Sequence, residues 1–213
     1  FAAIVTAAAE HDVILLPSGE VPTLSAKTLA DYVTLRGLGM YATRFLAPDG
    51  ETHAREDGIV MGSHTVVERL TIDSNVDGAE TGIYYYPIHA DTKEDLTIRE
   101  ARSLYPWEPI IYLEDCTEVF IGSCAFDEVE YGLLTTEQTN ERLRNLQFIG
   151  NRAHSNGAFE YFWIEGPRDL DPLPALADRY IKNTVISLNA FYNPDWTDTY
   201  YGYFYPIDGL IFQ

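Results

Sequence analysis

A chain of 213 residues, 46% of them hydrophobic, is long enough for one domain with a sizeable core and too apolar for disorder. Its 33 acidic against 14 basic side chains give a formal net charge of −19, and that repulsion argues against nucleic acid and anionic membranes as partners. No run approaches the ~18 apolar residues of a membrane span, so no membrane insertion is expected.

The first ten residues, "FAAIVTAAAE", are Ala-rich and predict a short N-terminal capping helix; they are too few to span a membrane and carry no basic leader. The start on Phe1 rather than Met and the end on "DGLIFQ" point to a processed chain or a piece of a longer one. An apolar strand at Val13–Leu16 then meets a Pro17-Ser18-Gly19 turn. A second strand, Tyr32 to Arg36, meets a Gly37-Leu38-Gly39 turn. Residues 1–60 thus read as a cap with the first coils of a single domain, and 61–213 as its regular part.

From Leu70 onward one pattern recurs: apolar-x-apolar-x-small-Asn. It is clearest in Leu70-Thr-Ile72-Asp-Ser74-Asn75 and Leu146-Gln-Phe148-Ile-Gly150-Asn151. Looser copies begin at Leu96, Val119 and Thr184, so the last position holds Asn75, Ala101, Cys124, Asn151 and Asn189. A second apolar strand follows: "GIYYYPI" from Gly82, "PIIYLED" from Pro109, "GLLTTE" from Gly132, "AFEYFWIEG" from Ala158 and, after a longer loop, "YGYFYPI" from Tyr201. The first four of these start 27, 23 and 26 residues apart, nearly the step of the first series. A jelly roll or sandwich also has many short strands, but it gives no reason for one motif to return at one offset. Units stacked in register do: inward positions become apolar columns, and a corner Asn can stack into a ladder. The predicted fold is all-β, a parallel β-helix of six or seven coils with two or three strands each.

The Ala-rich segment, the "VILLPSG" strand and turn, the "VTLRGLG" strand and turn, and coils such as "LQFIGNRA" together resemble pectate-lyase-like right-handed β-helix proteins. The resemblance covers most of the chain. It implies a single-stranded right-handed β-helix and makes Gly37-Leu-Gly39 a coil corner rather than a phosphate loop; the GxGxxG context of the latter is absent. It also implies a polysaccharide or cell-surface glycan as partner. β-Helix tailspikes are similar in fold and commonly trimeric, so a glycan-recognising module of a virion spike, tail fibre or cell surface is expected, extracellular and homotrimeric. The alternatives are an extracellular polysaccharide lyase or glycoside hydrolase, and a purely structural solenoid.

Candidate chemistry is sparse. Hydrolysis requires two carboxylates about 5.5 Å apart for retention or about 6.5–9.5 Å for inversion. Glu114 and Glu137 end comparable strands on successive coils, and Asp127 and Glu160 are further candidates. The Arg-x-Pro-x-x-Arg pattern of polysaccharide lyases and the Asn-Thr-Asp, Asp-Asp and Gly-His-Gly signatures of polygalacturonase-type hydrolases are absent. The aromatics are more pointed: Tyr84, Tyr86, Tyr112, Tyr161 and Trp163 fall on the second strand series and suit stacking on sugar rings. Tyr85, Tyr112 and Tyr161 share an offset, interrupted by Thr135; an internal aromatic stack or a subunit interface would use the same residues. No cofactor or metal is expected. "DGETHARED", with His53, is a conceivable divalent-cation loop for calcium but matches no EF-hand or zinc spacing. His154 reads as a structural residue at a coil corner. Cys116 and Cys124, if joined by extended chain, lie too far apart for a disulfide and read as small buried side chains. Dispersed acids with three lysines (Lys27, Lys93, Lys182) resemble surfaces of proteins from high-salt settings, where counter-ions screen self-repulsion.

Overall fold

The computed structural model describes residues 8–22, 27–46, 57–74, 86–104, 110–129, 134–137, 144–155, 162–164, 181–192, 203–204, 207–208 and 211–212. Every strand pair among them is parallel, and the chain is a β-solenoid with three sheets. The first sheet stacks Val13–Leu15, Thr34–Arg36, Val66–Glu68, Glu94–Arg99, Thr117–Gly122 and Arg144–Ile149, then Ile181–Lys182 with Val185–Ser187, then Ile207–Asp208 with Ile211–Phe212. The second holds Gly19–Pro22, Thr43–Leu46, Thr71–Asp73, Arg102–Leu104, Ala125–Val129, Arg152–Ser155 and Ala190–Tyr192. The third holds Lys27–Thr28, Ile59–Val60, Ile88–Asp91, Ile111–Glu114, Leu134–Glu137, Phe162–Ile164 and Tyr203–Phe204. The chain visits the sheets in that order once per coil, so the described residues trace seven coils and start an eighth.

Period-two alternation aims every second side chain of each strand at the axis. Leu35, Val67, Ile98, Ile121, Phe148 and Ile186 form one inward column in continuous register, all 1% exposed or less. Phe45, Ile72, Phe126 and Ala153 line the axis from the second sheet, and Ile59, Ile88 and Ile111 from the third. Burying each large aliphatic contributes about 1.5–3 kcal/mol, enough across seven coils to hold strands as short as two residues. No described residue is helical; Ala8 and Ala9 are not, and residues 1–7 of the expected capping helix lie outside the described residues.

Two sequence registers are corrected. Leu70-Thr-Ile72 is not a copy of Leu146-Gln-Phe148: Thr71–Asp73 is a second-sheet strand, and Val67 is the true counterpart of Ile98. The corner column therefore runs Leu70, Ala101, Cys124, Asn151, Asn189, without Asn75. The third-sheet strand of the neighbouring coil is Ile88–Asp91 rather than the "GIYYYPI" start.

The corner asparagines do stack into a ladder, and they do so without adopting left-handed backbone themselves. Between first and second sheets the left-handed residue is the one before them: Arg69, Glu100, Ser123, Gly150 and Leu188 have φ of 60°, 49°, 55°, 67° and 56°. Asn151 itself is 2% exposed and satisfies backbone inside the bend. Its Oδ1 accepts from the Cys124 N–H at 2.9 Å, and its Nδ2 donates to the Ile121 carbonyl at 3.0 Å. Asn189 repeats the arrangement one coil on, accepting from the Asn151 N–H at 2.9 Å and donating to the Phe148 carbonyl at 2.9 Å. At the corner entering the first sheet the left-handed column is His11, Tyr32, His64, Asp95, Glu118, Asn145 and Asn183. Each non-glycine there costs roughly 1–2 kcal/mol of backbone strain. Side chains meeting along the column offset it: the Tyr32 and His64 rings stack at 4.3 Å, His64 Nδ1 lies 3.1 Å from Asp95, and Asn183 donates to Asn145 at 2.8 Å. That hydrogen bond to Asp95, with the charges of Glu94 and Asp95, raises the His64 pKa above its usual value.

Candidate functional site

On the third sheet Ile111 and Leu113 point to the axis, so Tyr112 between them faces outward. It is nevertheless only 8% exposed, because Tyr86 from the coil before lies over it, rings 4.5 Å apart and 11° from parallel. His89 holds the register position beside Tyr112, with ring centroids 5.0 Å apart. Asp57, one coil earlier, orients that imidazole through Nδ1 at 2.6 Å. The other ring nitrogen, Nε2, is buried without a hydrogen-bond partner. Asp57, His89, Tyr86 and Tyr112 thus form one cluster drawn from three successive coils: a polar dyad against a two-ring stack.

The register column continues from His89 and Tyr112 through Thr135, Trp163 and Tyr203. Trp163, not Tyr161, takes the position beside Thr135. Tyr84, Tyr161 and Glu160 lie outside the described residues. Two residues further along the same strands, Asp91, Glu114 and Glu137 are in register, so the expected Glu114–Glu137 juxtaposition holds at a strand spacing of about 4.8 Å. Thr92 Oγ1 donates to Asp91 at 2.7 Å. Asp127 does not join them: it sits on the second sheet, ion-paired to Arg102 at 2.6 Å.

The outer face of the second sheet carries a group that sequence spacing did not single out. Arg44, Thr71, Arg102, Ala125, Arg152 and Ala190 form one register column, arginine alternating with a small residue. Arg44 pairs with Asp73 of the next coil at 2.6 Å, and Arg102 pairs likewise with Asp127. Over this column lies Tyr41, from the turn that joins the first two sheets in the second coil. The Arg102 guanidinium carbon is 5.2 Å from its ring centroid, and Arg152 donates to its hydroxyl.

On the first sheet, Glu68 is the buried centre of an Arg36–Glu68–Arg99 ladder, its side chain 3% exposed. Burial alone would raise its pKa, but hydrogen bonds from Arg99 and Arg36 outweigh that and hold it below the usual carboxylate value. Both cysteines are free and buried, as expected, and burial pushes each thiol up to about 12. Among the described residues no group of three or more His, Cys, Asp or Glu side chains converges on a metal position. Of the "DGETHARED" loop only Asp57 is described, and it is held by His89. No helix among the described residues is long and apolar enough to cross a membrane.

Three parallel sheets wound in turn define the chain as a parallel β-solenoid with ordered side-chain arrays on its outer faces. No protein-family model matches it, and no curated protein does. Among solved structures, the A-module of the Azotobacter vinelandii mannuronan C-5 epimerase AlgE6 is similar over 98% of this chain and 92% of that one, at 12% identity and a TM-score of 0.34. A likeness at that level carries no argument; the fold rests on the strand pairing above.

Proposed function

We propose that this chain is a glycan-recognising solenoid module whose binding face is the outer side of the third sheet. The observation that carries the reading is the Tyr86–Tyr112 stack set against the Asp57–His89 dyad, with Asp91, Glu114 and Glu137 in line beside it. Sugar rings stack on aromatic faces, while their hydroxyls require donors and acceptors at the edge of that platform. Tyr86, half-buried, presents the outer ring; Tyr112 beneath it is the support.

The setting that fits is a virion spike, tail fibre or cell surface, assembled side by side as a trimer. The outer face of the first sheet supports that assembly. Val13, Leu15 and Ile211 on it are 49%, 66% and 47% exposed, with Val66, Phe120 and Val185 partly so. Its ion ladder carries two arginines to one glutamate in a chain of net charge −19, so copies meeting there avoid the repulsion elsewhere. The dispersed acidity suits a saline medium, and thermal stability indifferent to molar KCl would contradict that setting.

Glycan-array binding followed by titration of the best ligand tests the central reading. Tyr86→Ala should weaken binding about five- to tenfold, the worth of one stacked ring, and His89→Ala should weaken it too. Full retention in both variants removes the third-sheet face from the mechanism. One observation favours a second reading, catalysis: an Asp-oriented imidazole with its other nitrogen unpaired is the arrangement of a proton-transfer residue. New ultraviolet absorbance (elimination) or reducing ends (hydrolysis) from a polysaccharide panel, lost in His89→Ala, would establish it. Binding with neither product keeps the module a reader.

A further inference from the structure

The arginine column of the second sheet follows a rule with a period of two coils, and its third repeat breaks the rule. Arg44 and Arg102 each reach an aspartate on the following coil, two residues further along the strand. The equivalent position for Arg152 is held by Tyr192, and Arg152 has no carboxylate partner among the described residues. Among the described residues Arg152 is thus an exposed arginine whose guanidinium meets a tyrosine hydroxyl rather than a carboxylate. Beside it, Tyr41 is 66% exposed, an aromatic ring with its hydroxyl fixed by Arg152 and the ring itself by Arg102. An exposed tyrosine ordinarily turns freely and loses entropy when a ligand stacks on it; this one is held in advance. Ala125 and Ala190 flank Arg152 along the column; Ala125 is covered, 1% exposed, and Ala190 is exposed.

We infer that Tyr41 and Arg152 form a second sugar site, specific for a ring that bears a carboxylate. The sugar ring lies on the open face of Tyr41. Its carboxylate takes from Arg152 the guanidinium N–H donors that Asp73 takes from Arg44, through Nε and Nη2, and Asp127 takes from Arg102, through Nε. The inference rests on the glycan-binding reading of the chain but uses a different sheet from the Tyr86 face, so the two separate by mutation. A planar guanidinium prefers carboxylate geometry, and Arg102 next to the ring offsets locally the repulsion that a −19 chain exerts on an anionic sugar.

Titration calorimetry on the whole chain tests this with three probes: hexagalacturonate, the same hexamer fully methyl-esterified, and 3′-sialyllactose. Binding of the hexamer or of sialyllactose, at least about tenfold weaker in Arg152→Ala and clearly weaker in Tyr41→Ala, is the expected result. Which of the two binds tells a uronate from a sialic acid. The methyl ester should lose as much as Arg152→Ala does, and added NaCl should weaken the acidic probe alone. Arg152→Lys, which keeps charge but not the fork, should fall between, with unchanged melting temperature showing that the fold is intact. Three results overturn the site: neither carboxylated probe binds, ester and acid bind equally, or Arg152→Ala binds as the parent does. Tyr86→Ala should leave these affinities unchanged. Loss there with retention in Arg152→Ala sinks this site and assigns the binding to the third sheet; loss in Arg152→Ala with retention there is the expected result, and the third-sheet face then stands or falls on its own glycan-array ligand.

Discussion

Replacing Asn151 by alanine should cost more than any other single corner substitution, and the amount follows from its partners. The amide serves the Cys124 N–H at 2.9 Å and the Ile121 carbonyl at 3.0 Å in a bend where the residue is 2% exposed. Water cannot replace those bonds without opening the corner, so two backbone groups are left unpaired at about 1–3 kcal/mol each. The carbonyl can lean on its second lone pair, which brings the sum to about 2–4 kcal/mol. For a chain of this size that is a drop of roughly 5–12 °C in melting temperature. Asn151→Asp keeps an acceptor for Cys124 but faces a carbonyl with a carboxylate, so it should be at least as damaging. Thermal unfolding by circular dichroism, with amide exchange at Cys124 as a local probe, measures both. The control is Asn145→Ala, at the partly exposed left-handed corner, where water can take over the lost bonds. If Asn151→Ala melts no lower than Asn145→Ala, the ladder is ornamental and the reasoning is wrong.

Glu68→Gln should destabilise by about 2–3 kcal/mol at neutral pH, less than the ~3–5 kcal/mol of a fully buried pair, because Arg36 and Arg99 are half-exposed and can regain water. The Glu68 pKa is lowered on folding, so its contribution is complete above the usual carboxylate pKa and lost as pH falls through the folded value. The gap between parent and variant in urea titrations should therefore close on acidification, and a gap that widens would contradict the ladder. With their thiols at about 12, Cys116 and Cys124 should resist iodoacetamide in the native state and react in urea; native alkylation at a free-thiol rate would show the corners to be open. Leu188→Asn should raise the melting temperature by about 1–3 °C, since Leu188 is 80% exposed and held at φ 56°, where Asn is less strained; a lower value would mean that Leu188 packs against something.

The stack was legible because apolar pairs and asparagines returned at nearly constant offsets, and four of the five first-strand copies are in true register. The fifth failed for a physical reason. Both strands flanking a corner alternate apolar and polar, so Leu70-Thr-Ile72 matches the motif as well as Val67 and its neighbours do. The aromatic row was displaced in the same way, since Ile88-His89-Ala90-Asp91 has no tyrosine to mark the strand while the residues before it do. The Glu114–Glu137 register was readable from spacing, whereas the column of Tyr112 and Thr135 continues in Trp163, two residues past the Tyr161 that spacing placed there. The Asp57–His89 dyad was not: its members are 32 residues apart, a coil plus a loop of unpredictable length. Tyr41 and Arg152, separated by 111 residues, lie beyond any local pattern.

That long reach has a consequence for cooperativity. A solenoid whose coils touch only their neighbours behaves as a one-dimensional array, free to fray from either end by one coil at a time. Tyr41 starts in the second coil and meets Arg102 in the fourth and Arg152 in the sixth, a span of roughly 19 Å along the axis. It acts as a clasp, binding coils that share no hydrogen-bonded edge into one unit. Opening of the sixth coil therefore also breaks a contact of the second, which adds a coupling between coils that nearest-neighbour stacking alone does not supply.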